Sequence, residues 1–373
     1  MKSSPAAGIP SATASTAGDI ALNIMCHPSR LQMAEELAAT IGPDVRIVLD
    51  PEPDEPADAV RCAAEAWSSA GAGQSHVLVL QDDISVVPDF LPRLVEAVGR
   101  FPDDVIALFA AWSSATSGAA RLAVLNGYAW LDWRAEYVPV PALVIPTEIA
   151  RELSAFLRLS TDRSRGDAGL LQDFLSLRGQ RSLLQLPSLA EHDVRGAESV
   201  LGNSFSKGVR RSVCFAGDAG PGEAALRQEV YETCEAPFVS QYDFKAYVNV
   251  KSTSSEDLLG VDVTAENWLS ARGADPGRLS EGWVATATTI APRLREVLRM
   301  ERLQQAWLSA VCLGTLSAGT RGDAVTAAGD AALATTIPGI FRRVFPDELL
   351  NQIADLSLPM LRAGFRLGQQ IAG

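Results

Sequence analysis

The stretch "SHVLVLQDDISVVPDFL", residues 75–91, carries the strongest fold signal in the chain. Its apolar run from Val77 to Leu80 predicts a strand buried on both faces, as in a parallel sheet covered by helices. Asp82 and Asp83 follow almost at once, and "PDFLPRLVEAVGRF" then predicts a helix. Two carboxylates therefore lie at the end of a buried strand, where either a turn or a polar site must account for them.

The alternation of strand and helix extends outward from this stretch. Strands are predicted for "IALNIMC" (20–26), "VRIVLD" (45–50) and "VIALFA" (105–110), with helical patterns between them. In the first helix, Ser29 and Gln32 form a capping-box pattern, and Gly179 is predicted to end a later helix. The pattern predicts an α/β, Rossmann-like fold, in which a mostly parallel sheet has helices on both faces.

The chain divides into three regions by composition. Residues 1–18 are rich in small and turn-forming residues and are predicted to be a disordered tail. Residues 19–218 form the predicted α/β domain, and residues 219–373 a mainly α-helical domain. The last helical segment has an apolar face interrupted at Pro359, and we expect this face to pack on the first domain or to form a homo-oligomer interface.

Composition excludes several classes of function. The net charge of −13 repels phosphate backbones, so no nucleic-acid partner is expected. No apolar run is long enough to form a transmembrane segment, and the N-terminus lacks a signal-peptide pattern, so a cytoplasmic location is expected. The five cysteines include no metal-binding or redox spacing and are interpreted mostly as small core residues.

The ends of the predicted strands carry the candidate site residues. The pair Asp82 and Asp83 suits a hard divalent cation, Mg²⁺ or Mn²⁺, although a turn is the alternative. The segment "CHPSR" resembles the first loop of glycosyltransferases with the GT-A fold, which implies that Arg30 contacts a base or a diphosphate; alternatively, Arg30 is solvated after a helix cap at Ser29. Asp50 could accept a hydrogen bond from a ribose or base, and a turn role is equally compatible with the sequence.

The segment "VLVLQDDISVVPDFL" resembles the strand and Asp-x-Asp-type motif of glycosyltransferases with the GT-A fold. The resemblance implies that Asp83 binds the metal that holds a nucleoside diphosphate, such as UDP, and that Asp82 lies near the ribose or donor sugar. Gln81 departs from the family pattern, which often has a third acidic residue there.

A second segment, "GDAGLLQDFLSLRGQRSLLQLPSLAEHDVRGAESVLGN", resembles the acidic helix and the later histidine of the same family. It implies that Asp167 lies near the acceptor as a general base and that His192 is a metal ligand. Asp162 and Asp173 are rivals for the base, Asp167 could instead cap a helix, and His192 could be a surface residue.

Beyond His192, "NSFSKGVRRSVCF" supplies Lys207, Arg210 and Arg211, which could neutralise a leaving diphosphate or could form a solvated face. The resemblance covers about residues 19–218. It implies a metal-dependent glycosyltransferase that uses a nucleotide sugar and an acceptor, which could be a small molecule, a glycan or a peptide. A nucleotidyltransferase with a similar metal site and a non-catalytic binding module are the alternatives.

Overall fold

A computed structural model of the chain describes residues 17–56, 58–113, 115–132, 138–193, 195, 208–219, 226–251, 260–318 and 326–373. The first part of the chain alternates strands and helices. These elements are β1 Ile20–Cys26, α1 Leu31–Ile41, β2 Val45–Leu49, α2 Ala59–Trp67, β3 His76–Gln81, β4 Ile84–Val86, α3 Phe90–Arg100, β5 Val105–Ala107, α4 Ala115–Leu125, β6 Tyr128–Asp132, β7 Ala142–Pro146, α5 Thr147–Leu159, α6 Gly166–Arg178, β8 Ser182–Gln185, β9 Ala190–His192 and α7 Ala216–Ala219.

Strands also open the C-terminal part, before it becomes helical. Its elements are β10 Arg227–Glu232, β11 Glu235–Val239, β12 Ala246–Val250, β13 Val261–Thr264, α8 Ala265–Ala271, α9 Pro276–Thr289, α10 Pro292–Val297, α11 Met300–Leu316, α12 Ala327–Ala334, α13 Thr336–Phe341 and α14 Asp347–Ala372. The helical C-terminal part is as predicted, whereas the four strands between residues 227 and 264 were not.

The central sheet has eight strands in the order β10-β6-β8-β5-β7-β3-β1-β2. Four of its pairings are parallel and three are antiparallel, so the predicted α/β class with a mostly parallel sheet is confirmed. Strand β10 pairs with β6, which means that chain beyond residue 218 completes this sheet. A separate antiparallel sheet has the order β11-β12-β13.

Strand β3 is buried on both faces, as its sequence predicts. Val77 and Val79 belong to a core that includes residues of α2, α4, α5 and α6. Leu78 and Leu80 point the other way, into a core with residues of α1 and α3. Because each of these side chains is almost fully buried, each contributes about 2 kcal/mol of transfer free energy, and the strand is anchored from both sides.

Glycine allows close helix packing in the C-terminal part. A Cβ atom on Gly314 of α11 would lie only 1.9 Å from the carbonyl oxygen of Phe365 in α14. At Gly368 a Cβ atom would lie 2.0 Å from the carbonyl oxygen of Val311. The buried residues of the last segment are therefore covered within the same chain, largely by α11.

The predicted break at Pro359 is wrong, because α14 runs through this residue. Proline cannot donate to the carbonyl four positions earlier, which belongs to Asp355. Both Pro359 and Asp355 are exposed, so water can satisfy that carbonyl. Within the described ranges, no helix combines the length and the apolar character that a bilayer-crossing segment requires.

Arg121 joins the two parts of the chain. Its guanidinium, buried in the structure, donates to the carbonyl oxygens of Trp112 and Ala332 and to the hydroxyl of Thr335. These bonds fix α4 against α12 and α13, and so hold the sheet against the helical part.

Candidate functional site

The site lies at one edge of the central sheet. Strands β2, β1 and β3 are neighbours in the sheet, in that order, and run parallel to one another. Their carboxyl ends therefore meet at the same edge. The segments that follow these strands carry Arg30, Asp50, Asp82 and Asp83. An edge of this kind is where open α/β sheets bind ligands, because the emerging loops leave room between them.

Arg30 binds both carboxylates of the pair. Its Nη1 atom donates to Asp82 over 3.1 Å and to Asp83 over 2.9 Å. The backbone N–H of His27 donates to the other oxygen of Asp82. The alternative of a solvated Arg30 is therefore wrong, and so is the capping box at Ser29, because it is the His27 side chain that caps this turn.

His192 reaches Asp83 through a short strand pairing. Strand β9 pairs antiparallel with β4, so that His192 lies opposite Ile84, and the N–H of Asp193 donates to the carbonyl of Asp83. The Nδ1 atom of His192 lies 3.4 Å from Oδ1 of Asp83, and the ring packs edge-on against Phe109. The surface alternative for His192 is wrong, since the side chain is buried.

Arg210 completes the cluster from the segment that follows β9. Its Nη2 atom donates to Oδ2 of Asp83 over 3.2 Å. The neighbouring backbone is held by pairing between Ala111 and Ser212 and by the bond from Trp112 N to Arg211 O. Arg211 points elsewhere and pairs with Asp347 of α14, so only the first of the two adjacent arginines faces the carboxylates.

Sequence reasoning missed the role of Glu191. Its carboxylate accepts from the N–H and the hydroxyl of Ser212 and from the N–H of His192. Burial raises the pKa of Glu191, and the hydrogen bonds from Ser212 oppose that shift. The contact fixes the distance between His192 and Arg210. No periodic or motif signal in the sequence announces it, because it joins two irregular segments.

The ionisation states follow from burial and charge. Burial alone would raise the pKa of Asp83, but the charges of a protonated His192, Arg210 and Arg30 outweigh it and hold that pKa below its ordinary value. Burial and the adjacent charge of Asp83 raise the pKa of Asp82. Burial lowers the pKa of His192 to about 4, so its imidazole is neutral near pH 7.

Two atoms of the cluster are left open. Oδ1 of Asp83 and Nε2 of His192 are buried and have no hydrogen-bond partner among the described residues. A buried polar atom without a partner is costly, so these two atoms are available to a water molecule, an ion or a ligand. A carboxylate oxygen suits Mn²⁺ or Mg²⁺, and a neutral imidazole is a common metal ligand that the oxygen-preferring Mg²⁺ favours least.

The donor set is small. In the part of the chain that the structure describes, no group of three or more His, Cys, Asp or Glu side chains could hold a metal ion. Mg²⁺ is commonly held by one or two carboxylates, with substrate phosphates and water completing its coordination. The residues present therefore fit a cation that is shared with a phosphate ligand, and do not form a complete protein cage.

Asp167 lies in the first turn of α6, and the residue before the helix is Arg165, so Asp167 is not the N-cap. Burial raises its pKa, which backbone N–H groups and nearby Arg210 partly oppose. Asp162 is exposed and accepts a hydrogen bond from Ser164 N, and Asp173 is half-buried and pairs with Arg165. Among the groups that shift the pKa of Asp167 is the charge of Arg210, which lowers it.

Asp50, a further predicted site residue, stands apart from the carboxylate pair. Asp50 lies at the end of β2, and both of its oxygens accept hydrogen bonds from Arg61. Beside this pair, Glu52, Asp58 and Arg61 line an open cleft, which does not include Asp82 or Asp83. Lys207 lies outside the described residues.

No protein-family model matches the chain, and no curated protein is significantly similar to it. The geometry of the site is therefore the main ground for any assignment of function.

Proposed function

We propose that the protein is a metal-dependent glycosyltransferase that transfers a sugar from a nucleoside diphosphate donor to an acceptor nucleophile. The observation that supports this most is the meeting of Asp83 and His192. These residues are far apart in the sequence, yet Nδ1 and Oδ1 come within 3.4 Å, and each residue keeps one unpartnered buried atom. Both lie at the carboxyl edge of an α/β sheet, where a nucleotide would bind.

In this proposal Asp83 and His192 hold a divalent cation, Mn²⁺ or Mg²⁺. When bound, the cation would supply positive charge for the diphosphate that leaves the sugar. Arg210 is already oriented towards Asp83, and its guanidinium can donate to a phosphate oxygen close by. Asp82 holds the loop after β1 through the N–H of His27, and this fixes the position of the nucleotide-binding loop.

Asp167 is the proposed general base. Its carboxylate takes the proton of the acceptor hydroxyl while the acceptor oxygen bonds to the anomeric carbon and the bond from that carbon to the diphosphate breaks. A raised pKa suits this role, because a stronger base accepts the proton more readily near neutral pH. The assignment applies to a transfer that inverts the anomeric configuration.

The test is incubation of the full chain with a panel of nucleotide sugars and Mn²⁺, followed by an assay for free nucleoside diphosphate. We expect release with at least one donor and loss of that release in EDTA. Pyrophosphate release from a nucleoside triphosphate would instead support a nucleotidyltransferase. Donor binding without any turnover, across a wide acceptor panel, would support a binding module.

A further inference from the structure

The carboxylate pair is already neutralised by the protein itself. Asp82 and Asp83 carry two negative charges, and Arg30 and Arg210 carry two positive charges within hydrogen-bond distance of them. The formal charges of these four side chains therefore cancel, in a protein whose overall formal charge is −13.

Arg30 holds a special position within the cluster. A single nitrogen, Nη1, lies 3.1 Å from Asp82 and 2.9 Å from Asp83, between the two carboxylates. A divalent cation that bridged both carboxylates would need this place. A cation held by Oδ1 of Asp83 and by His192 alone would lie within a few ångströms of two guanidinium groups, where like charges repel strongly.

We propose that Arg30 is the resident cation of the site, and that a divalent cation enters only together with a diphosphate. A divalent cation alone would raise the charge of the cluster from zero to two positive charges. The diphosphate of a nucleotide sugar brings two negative charges, which restores neutrality and offers Arg30 new oxygen partners. The guanidinium then turns from the carboxylates to the phosphates, as its planar set of donors allows.

The turn that carries Arg30 is built to hold this side chain. Residues Pro28–Arg30 form a single 3₁₀ turn directly after β1, and His27 accepts from the N–H of Ser29. The His27 ring also lies 2.7 Å from the hydroxyl of Ser29. Since the backbone is fixed at both ends of the turn, the exchange of partners requires only side-chain rotation of Arg30.

The inference rests on the proposed function for the identity of the diphosphate, and its test separates the two. Mn²⁺ binding to the full chain is measured by electron paramagnetic resonance without nucleotide, in wild type and in Arg30→Gln. We expect the variant to bind Mn²⁺ at least tenfold more tightly, and Arg30→Lys to remain close to wild type because it keeps the charge. Arg362→Gln, which frees the carboxylate of Asp330 in the helical part, is the matched control and should not change Mn²⁺ affinity.

A second measurement covers the case in which Arg30→Gln fails to fold. UDP affinity of the wild type is measured by calorimetry in Mn²⁺ and in EDTA, and we expect Mn²⁺ to tighten it at least tenfold. By linkage, UDP must then tighten Mn²⁺ binding by the same factor. The inference is overturned if Arg30→Gln binds Mn²⁺ alone no more tightly than wild type, or if Mn²⁺ leaves UDP affinity unchanged.

Neither measurement requires turnover. A gain of Mn²⁺ affinity in Arg30→Gln, with no turnover of any nucleotide sugar, would keep the role of Arg30 and reject the glycosyltransferase. Turnover of a nucleotide sugar without a gain of Mn²⁺ affinity in Arg30→Gln would keep the glycosyltransferase and reject the role of Arg30.

Discussion

Strand β3 has a buried histidine near each of its ends, and the two are very different. At the amino end, both ring nitrogens of His76 have a hydrogen-bond partner: the hydroxyl of Ser75 at 2.9 Å and the carbonyl of Pro102 at 2.9 Å. At the carboxyl end, His192 lies against Asp83, and its Nε2 atom has no hydrogen-bond partner among the described residues. Burial lowers the pKa of both.

The difference separates a histidine whose hydrogen bonds are satisfied from one that we propose as a metal ligand. The two histidines share their residue type, their burial and the direction of their pKa shift, so none of these properties separates them. What separates them is whether the hydrogen-bonding capacity is satisfied within the chain. The ring nitrogens at the amino end of β3 are both satisfied, whereas two buried atoms at the carboxyl end, Oδ1 of Asp83 and Nε2 of His192, have no hydrogen-bond partner among the described residues.

The largest effect is expected from Asp83→Asn at the carboxyl end. The amide removes the charge that faces Arg30, Arg210 and the proposed cation, at a cost of about 4 kcal/mol in binding, or roughly a thousandfold. UDP affinity in Mn²⁺, measured by calorimetry, should fall by that factor while circular dichroism shows a folded protein. Unchanged UDP affinity in this variant would remove Asp83 from the site.

Asp167→Asn should reduce turnover about a hundredfold, which is the usual contribution of a general base. UDP affinity should hardly change, because the proposed partner of Asp167 is the acceptor. Single-turnover kinetics with the donor identified by the panel make this measurement. Asp162→Asn and Asp173→Asn are matched controls, and an inactive control beside an active Asp167→Asn would place the base elsewhere.

His192→Ala should raise the Mn²⁺ concentration needed for half-maximal UDP binding about tenfold, since water can partly replace one neutral ligand. The same change at the other end of the strand, His76→Ala, should leave the Mn²⁺ requirement as it is. Equal Mn²⁺ titrations for His192→Ala and wild type would mean that the two ends of β3 do not differ in the way proposed.

The smallest effect concerns pH and His76. Because its pKa is lowered in the fold from an ordinary value of about 6.5, the unfolded chain takes up a proton before the folded one as the pH falls. The free energy of unfolding therefore decreases below about pH 6.5. In His76→Ala this decrease should be smaller by about 1 kcal/mol between pH 7 and pH 5, as measured by urea denaturation. An identical pH dependence in both proteins would show that the pKa of His76 is the same in the folded and the unfolded chain.

Part of the site was predictable because its signal is local. The apolar run before Asp82 and Asp83 identifies both the strand and the edge at which the carboxylates lie. The contact of Arg30 with these carboxylates was not predictable, because it depends on β1 and β3 being direct neighbours in the sheet. The same holds for Glu191 and Ser212, which meet only after β9 pairs with β4.

In the fold, too, local sequence predicts some features, whereas others depend on tertiary contacts. Helix α6 ends at Gly179, which adopts the left-handed conformation, as its sequence predicts. Strand β10 was missed because its sequence "RQEVYE" is polar and mostly exposed, so it lacks the apolar alternation that reveals a strand. Its position is set by pairing with β6, a tertiary effect that no local pattern encodes.

The late position of β10 in the sequence also affects the nascent chain during synthesis. Arg227 in this strand donates to the carbonyl of Asn126, 101 positions earlier, so β6 leaves the ribosome well before its edge partner is made. An open strand edge with apolar neighbours such as Trp130 is a template for pairing with other chains. We expect the nascent chain to depend on chaperones during this interval, and a fragment ending near residue 218 to remain in that aggregation-prone state permanently.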